Sequence, residues 1–271
     1  MHARRIAYTA VLVYCFTGIL SITTTAQSID EGLVSLEHGQ YEAAQRIFDM
    51  HAHAGDAFAQ SRVGYMYHLG FVGEVDHKQA RIWYEKAAAQ GEARAQNNWA
   101  MLLDWDDTDD CEQAYELLRA AAQQELSEAY INIGQLLTDG VCFEHPAYGL
   151  ALIFYRDAAQ AGHPVAQFRL GSFYYNGTGV PADTLAAATW WRMAAQQGHN
   201  AAQRGLSNLY YQEGGLPAED WYAYMWLQAA LMNNTDLRTS EEVQTRQRAL
   251  RARLSARELE VAHREAQAMQ P

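Results

Sequence analysis

Apolar residues along the centre of the chain fall three and four apart, the period of helices that bury one face. The pattern then repeats as a whole. Residues 80–91 read Ala80-Arg81-Ile82-Trp83-Tyr84-Glu85-Lys86-Ala87-Ala88-Ala89-Gln90-Gly91. The same arrangement returns at 114–125, 151–162, 187–198 and 223–234, with an earlier copy at 44–55. A second pattern alternates with it. Ala59-Gln60 leads to Val63-Gly64, Tyr67 and Gly70, and Ala166-Gln167 leads to Leu170-Gly171, Tyr174 and Gly177. A third copy runs over 129–140, and weaker ones start at Ala95-Gln96 and Ala202-Gln203.

Each pair of patterns predicts two helices joined by a short loop. Small residues such as Ala59, Gly64, Ala87 and Ala88 allow two helices to approach closely. Large ones such as Tyr67, Trp83 and Tyr84 fill the space between neighbouring hairpins. Gly91, Gly162 and Gly198 stand where a left-handed residue ends a helix, and Asp76 and Asp183 stand where an N-cap begins one. One hairpin leaves its apolar side uncovered, so the units must stack. No sheet and no domain boundary is expected within 27–234.

The patterns A-x-x-x-x-G-x-x-Y-x-x-G and A-x-x-W-Y-x-K-A-A-x-x-G, carried by the residues just quoted, resemble the SEL-one-like repeats, a subclass of tetratricopeptide-type repeats. The resemblance covers five units of 34 to 37 residues: 56–91, 92–125, 126–162, 163–198 and 199–234. Residues 27–55, with Gly32, Gly39-Gln40-Tyr41 and Ala44, look like a shorter tetratricopeptide-like lead hairpin. Met225-Trp226-Leu227-Gln228-Ala229-Ala230 and Leu254-Ser255-Ala256-Arg257-Glu258-Leu259 resemble the last repeat and tail of bacterial members. The resemblance implies an all-α, right-handed α-solenoid that binds proteins. Two units depart from the pattern. The 92–125 unit carries Asp104-Trp105-Asp106-Asp107-Thr108-Asp109-Asp110 in place of a glycine-rich loop, and the 126–162 unit has an extra residue.

The ends and the charge add to this. Met1-His2-Ala3-Arg4-Arg5, an apolar run over 6–20 and an exit through Thr25-Ala26-Gln27 read as a cleaved signal peptide, residues 1–26. That predicts a periplasmic or secreted protein with no transmembrane anchor after cleavage. Removing Arg4 and Arg5 takes the net charge from −12 to −14. Such a balance speaks against nucleic acid, which demands a basic footprint. In an oxidising compartment the remaining cysteines, Cys111 and Cys142, form a candidate disulfide. Residues 235–271 hold seven basic and six acidic side chains, against 11 and 26 over 27–234. Ser240 with Glu241-Glu242, and Ser255 with Glu258, predict two capping helices there.

Little points to chemistry. The acids of 104–110 fail as an EF-hand, because Asp109 and Tyr115 occupy the glycine and glutamate places. They suit a linker that ends at a helix N-terminus. His51 and His53 are two apart on a helix and point to different sides. His163 and His199 occupy one repeat position, which fits structure. Gly177-Thr178-Gly179 follows a helix, so no nucleotide loop is read there. No G-x-S-x-G or H-E-x-x-H occurs. We therefore expect no catalytic residues, no metal and no cofactor, and a protein or peptide partner. An envelope hydrolase or cell-wall-directed enzyme with an unrecognised site is the alternative. In arrays of this kind the first helices usually line the concave surface. The variable residues there are the candidate partner-binding set: Arg62, Tyr65, Asn98, Asn132, Gln135, Arg169, Tyr175, Arg204, Asn208 and Tyr211.

Overall fold

A computed structural model describes residues 28–140, 145–211, 219–232 and 240–269. Among them are fourteen helices and no strands. A lead hairpin comes first, α1 (Ile29–Glu37) and α2 (Tyr41–His53). Five hairpins follow: α3 (Ala57–Leu69) with α4 (His77–Ala89), α5 (Ala93–Ala100) with α6 (Thr108–Ala122), α7 (Ser127–Asp139) with α8 (Tyr148–Gln160), α9 (Pro164–Asn176) with α10 (Thr184–Gln196), and α11 (Asn200–Tyr211) with α12 (Asp220–Met232). The tail adds α13 (Glu241–Arg253) and α14 (Ala256–Ala268). Each helix of the hairpins packs on the next in the chain, which is the arrangement of an α-solenoid. The expected signal segment lies outside the described residues.

Local chemistry sets the boundaries. Asp76 accepts from the backbone N–H of Lys78 and Gln79, and Asp183 from that of Ala186. Gly91, Gly162 and Gly198 have φ of +87°, +95° and +82°. In the 92–125 unit that place is taken by Glu125, the one non-glycine residue with positive φ among those described, at +62°. The acidic run of the same unit turns inward on its own backbone. Asp107 caps α6 by accepting from Asp109 and Asp110, Asp104 accepts from the backbone of Asp106, and the Trp105 indole donates to the Ala100 carbonyl at 2.8 Å. Helix α5 is correspondingly short, eight residues against 13 in α3.

Within a hairpin the close approach falls at a glycine facing a ring. A Cβ on Gly64 would sit 2.7 Å from Tyr84, on Gly134 2.7 Å from Tyr155, and on Gly171 would collide with Trp191. Tyr84 and Tyr155 are almost completely buried as a result. Between hairpins the buried glutamine after the repeated alanine acts as a tie. Gln60 donates to the Ala52 carbonyl of α2 (3.1 Å) and accepts from Gln90 at the end of α4 (2.8 Å). Gln167 does the same with Ala159 (3.2 Å) and Gln197 (2.9 Å). Gln96 accepts from Gln124 at 3.0 Å, and Gln203 donates to Ala195 at 3.1 Å. One side chain so joins three successive helices, and each satisfied bond contributes on the order of 1 kcal/mol.

The stack is closed at its C-terminal end. Helix α12 is buried without interruption from Ala223 to Leu231, so it needs cover on every side. Helices α11, α13 and α14 supply it, with Val243, Leu250, Ala262 and Ala266 entering the same core. Ser255 and Glu258 form the expected capping box. The serine's hydrogen bonds hold the Glu258 carboxyl below its ordinary pKa.

Candidate functional site

The repeat places equivalent residues of successive first helices side by side. Counting from the repeated alanine, Arg62, Asn98, Asn132 and Arg169 hold one position, and Tyr65, Gln135 and Asn208 another. At the N-terminal end these positions converge. Arg62 and Tyr65 of α3 and Asn98 of α5 line a pocket of about 270 Å³, together with Ser61, Arg94, Asn97 and Glu128.

The pocket is rich in donors and short of acceptors. Arg62 is half-buried, stacks over the Phe58 ring at 4.6 Å, and its buried Nε meets no hydrogen-bond partner among the described residues. Burial, and then the neighbouring Arg94 guanidinium, lower its pKa, although an arginine keeps its proton throughout the physiological range. Arg94 reaches Glu128 only at 3.8 Å, with both side chains about half exposed. A pair of that kind contributes about 0–1 kcal/mol. Arg62 itself has no ion pair among the described residues; Glu92, whose carboxylate accepts from the Ala95 N–H at the start of α5, acts on it only as a nearby charge.

A ladder of amides forms the rest of the site. Asn132 of α7 donates to Asn97 (2.8 Å), Asn97 to Asn98 (3.1 Å), and Asn98 to the Tyr84 hydroxyl (3.4 Å). Tyr84 in turn meets His68 Nδ1 at 3.4 Å. Burial raises the Tyr84 pKa, and the bond from Asn98 partly offsets it. Burial, then His77, lower that of His68. The ladder fixes the amide orientations from one unit to the next, so the polar face is preorganised.

The other members of the expected set lie elsewhere. Gln135 is bound along its own helix to Asp139, at 2.7 and 3.0 Å. Arg169 and Arg204 are exposed on α9 and α11. Tyr175 packs its ring 5.2 Å from Trp191. Asn208 and Tyr211 are covered by the chain itself. Arg246 of α13 donates to Asn208 and stands over the Tyr211 ring at 5.2 Å, with Arg253 5.8 Å from the same ring. Those two residues are part of the seat of the C-terminal cap.

Arg94, Asn97 and Glu128 belong to the pocket but not to the expected set. A signal for Arg94 and Glu128 exists in the sequence. The place before the repeated alanine reads Phe58, Arg94, Glu128, Val165 and Ala201, the variation of a position that the repeat does not constrain. Cys111 is buried and disulfide-bonded. Cys142, the other member of the expected pair, lies outside the described residues. His163 and His199 flank the starts of α9 and α11. The His199 ring stacks on Phe168 at 4.8 Å, and the backbone N–H of Ala202 donates to it. Among the described residues no group of three or more His, Cys, Asp or Glu side chains is arranged to hold a metal, and no helix is long and apolar enough to cross a membrane.

The model of a family described as Sel1 repeat matches residues 57–92, 93–126, 127–163, 164–199 and 200–234. A sel1-like repeat-containing protein of Acanthamoeba polyphaga mimivirus is 29% identical over 128 residues, 47% of this chain and 23% of the viral protein. Among solved structures, a protective antigen present in uropathogenic Escherichia coli strains, displaying an SLR fold, superposes with a TM-score of 0.71 at 30% identity. That match covers 83% of this chain and 48% of the antigen, so the chain spans under half the length of either protein. A Sel1 repeat protein from Oxalobacter formigenes gives a TM-score of 0.71 at 25% identity, over 90% of this chain and 100% of that one.

Proposed function

The chain belongs to the Sel1 repeat family, and we propose that it is a non-enzymatic protein-binding scaffold or adaptor of the bacterial envelope that holds a peptide or partner protein on its first-helix face. Repeats of this family generally serve protein–protein interaction. The observation that carries the finer reading is the pocket between α3 and α5. A half-buried arginine with an unpartnered Nε stands beside a second arginine and a fixed row of amides. A buried donor without an acceptor costs about 1–3 kcal/mol, which a carboxylate or backbone carbonyl of a bound chain would recover. Arginine also offers the forked geometry that carboxylates match. The envelope location rests on the basic and apolar start of the sequence, and a protective antigen among the similar structures is in keeping with it.

The test is capture from envelope extract by the full chain, with partners identified by mass spectrometry, beside the Arg62→Ala/Arg94→Ala double variant. The expected outcome is a partner held by the parent chain and lost from the variant, with unchanged far-ultraviolet dichroism. Equal recovery by both, or recovery by neither, would overturn the reading. N-terminal sequencing of the exported chain checks the signal, and a start at Gln27 is expected.

A further inference from the structure

Helices α10, α11 and α12, with α14, line a cleft of about 660 Å³ that shares no residue with the α3–α5 pocket. Its walls are aromatic. Tyr210 and Tyr222 stack at 5.2 Å, and Trp221 stands edge-on to Tyr222 at 4.8 Å. Leu185 lines the cleft at 68% exposure, more than any other large apolar side chain among the described residues. One guanidinium also lines the cleft: Arg192 donates to the Tyr210 hydroxyl at 3.1 Å, a neutral acceptor that fixes its position and leaves its charge in place. Two exposed carboxylates, Glu219 and Glu265, also line it, and neither has an ion-pair partner among the described residues.

These features favour one class of occupant. Ring faces and an exposed leucine take up apolar area, and the rings also attract a cation held over them. The unpaired carboxylates attract positive charge. We infer that this cleft is a second docking site, which takes a short protein segment presenting a large apolar side chain flanked by lysine or arginine. The chain then has two faces of opposite preference. The first-helix pocket recognises carboxylate and carbonyl oxygen, and the C-terminal cleft recognises apolar and basic side chains.

The test is selection of a random displayed-peptide library on the full chain, with the exposed-site variant Leu185→Asp as the counter-target. Enrichment of peptides with an aromatic or aliphatic residue beside lysine or arginine is expected. The selected peptides should bind the Glu219→Lys/Glu265→Lys variant about tenfold more weakly, the effect of two partly exposed ion pairs. They should bind the Arg62→Ala/Arg94→Ala variant unchanged, which separates this site from the first-helix reading. No enrichment, enrichment of acidic peptides, or equal binding by the Leu185→Asp variant at unchanged melting temperature would overturn the inference.

Discussion

The first-helix face is built from the same positions at both ends of the solenoid, yet its two ends have different fates. At α3 and α5 the polar side chains face a pocket, and the Arg62 Nε meets no partner. At α11 the equivalent surface is occupied by α13, whose Arg246 reaches Asn208 and the Tyr211 ring and retains only 11% side-chain exposure. The occupied end shows what this face accommodates: a helix that presents a guanidinium to an amide carbonyl and an aromatic ring. At the open end the charges are reversed, with arginines on the solenoid itself. A ligand there must bring the oxygen.

The closed end breaks most easily. Leu250 is completely buried between α13 and the last hairpin. Leu250→Ala is expected to cost about 3 kcal/mol. Because stacked repeats depend mainly on their neighbours, the loss should appear in hydrogen exchange as early opening of α11 to α14, with α3 to α8 protected as before. Arg246→Ala removes the hydrogen bond to Asn208, the ion pair with Glu242 and the cation–π contact with Tyr211, and is expected to cost about 2 kcal/mol. It should also expose Asn208 and Tyr211, which chemical shifts at those residues would report. Glu125→Gly tests the strained link between the 92–125 and 126–162 units. A glutamate at φ +62° costs about 1 kcal/mol relative to glycine, so this change should raise stability by that amount in urea titration.

The smallest effect is that of pH. His68, through burial and then His77, and His199, through burial and then Arg169, have folded pKa values below the ordinary 6.5. The unfolded chain therefore binds protons more readily. Stability is fully present above the unfolded value and is lost as pH falls through it towards the folded values. His68→Gln should flatten the dependence of melting temperature on pH between about 7.5 and 5.

Much of the fold is written locally and can be read. Asp76, Asp183 and the Ser255–Glu258 pair act within three residues of themselves, and the repeated glycine–aromatic pattern states which helix faces meet. The glutamine after each repeated alanine was visible as a pattern, but its partners lie 8 residues back and 30 residues on, and spacing alone does not reveal a bond across hairpins. The seat of α13 is harder still. Arg246 meets a residue 38 positions earlier, and nothing near Asn208 or Tyr211 marks them as taken. The candidate site divides for the same reason. Arg62, Tyr65 and Asn98 come together because they occupy variable positions in the adjacent 56–91 and 92–125 units, whereas Gln135 is satisfied within its own helix.

The contrast between the two ends can be measured in one experiment. A photo-crosslinking side chain is placed at Asn98 in one sample of the full chain and at Asn208 in another, and both are irradiated in envelope extract. The expected result is a crosslink from position 98 to a partner protein, and from position 208 only to residues of α13. Partner adducts from position 208 with none from position 98 would contradict the assignment of the open end as the binding surface.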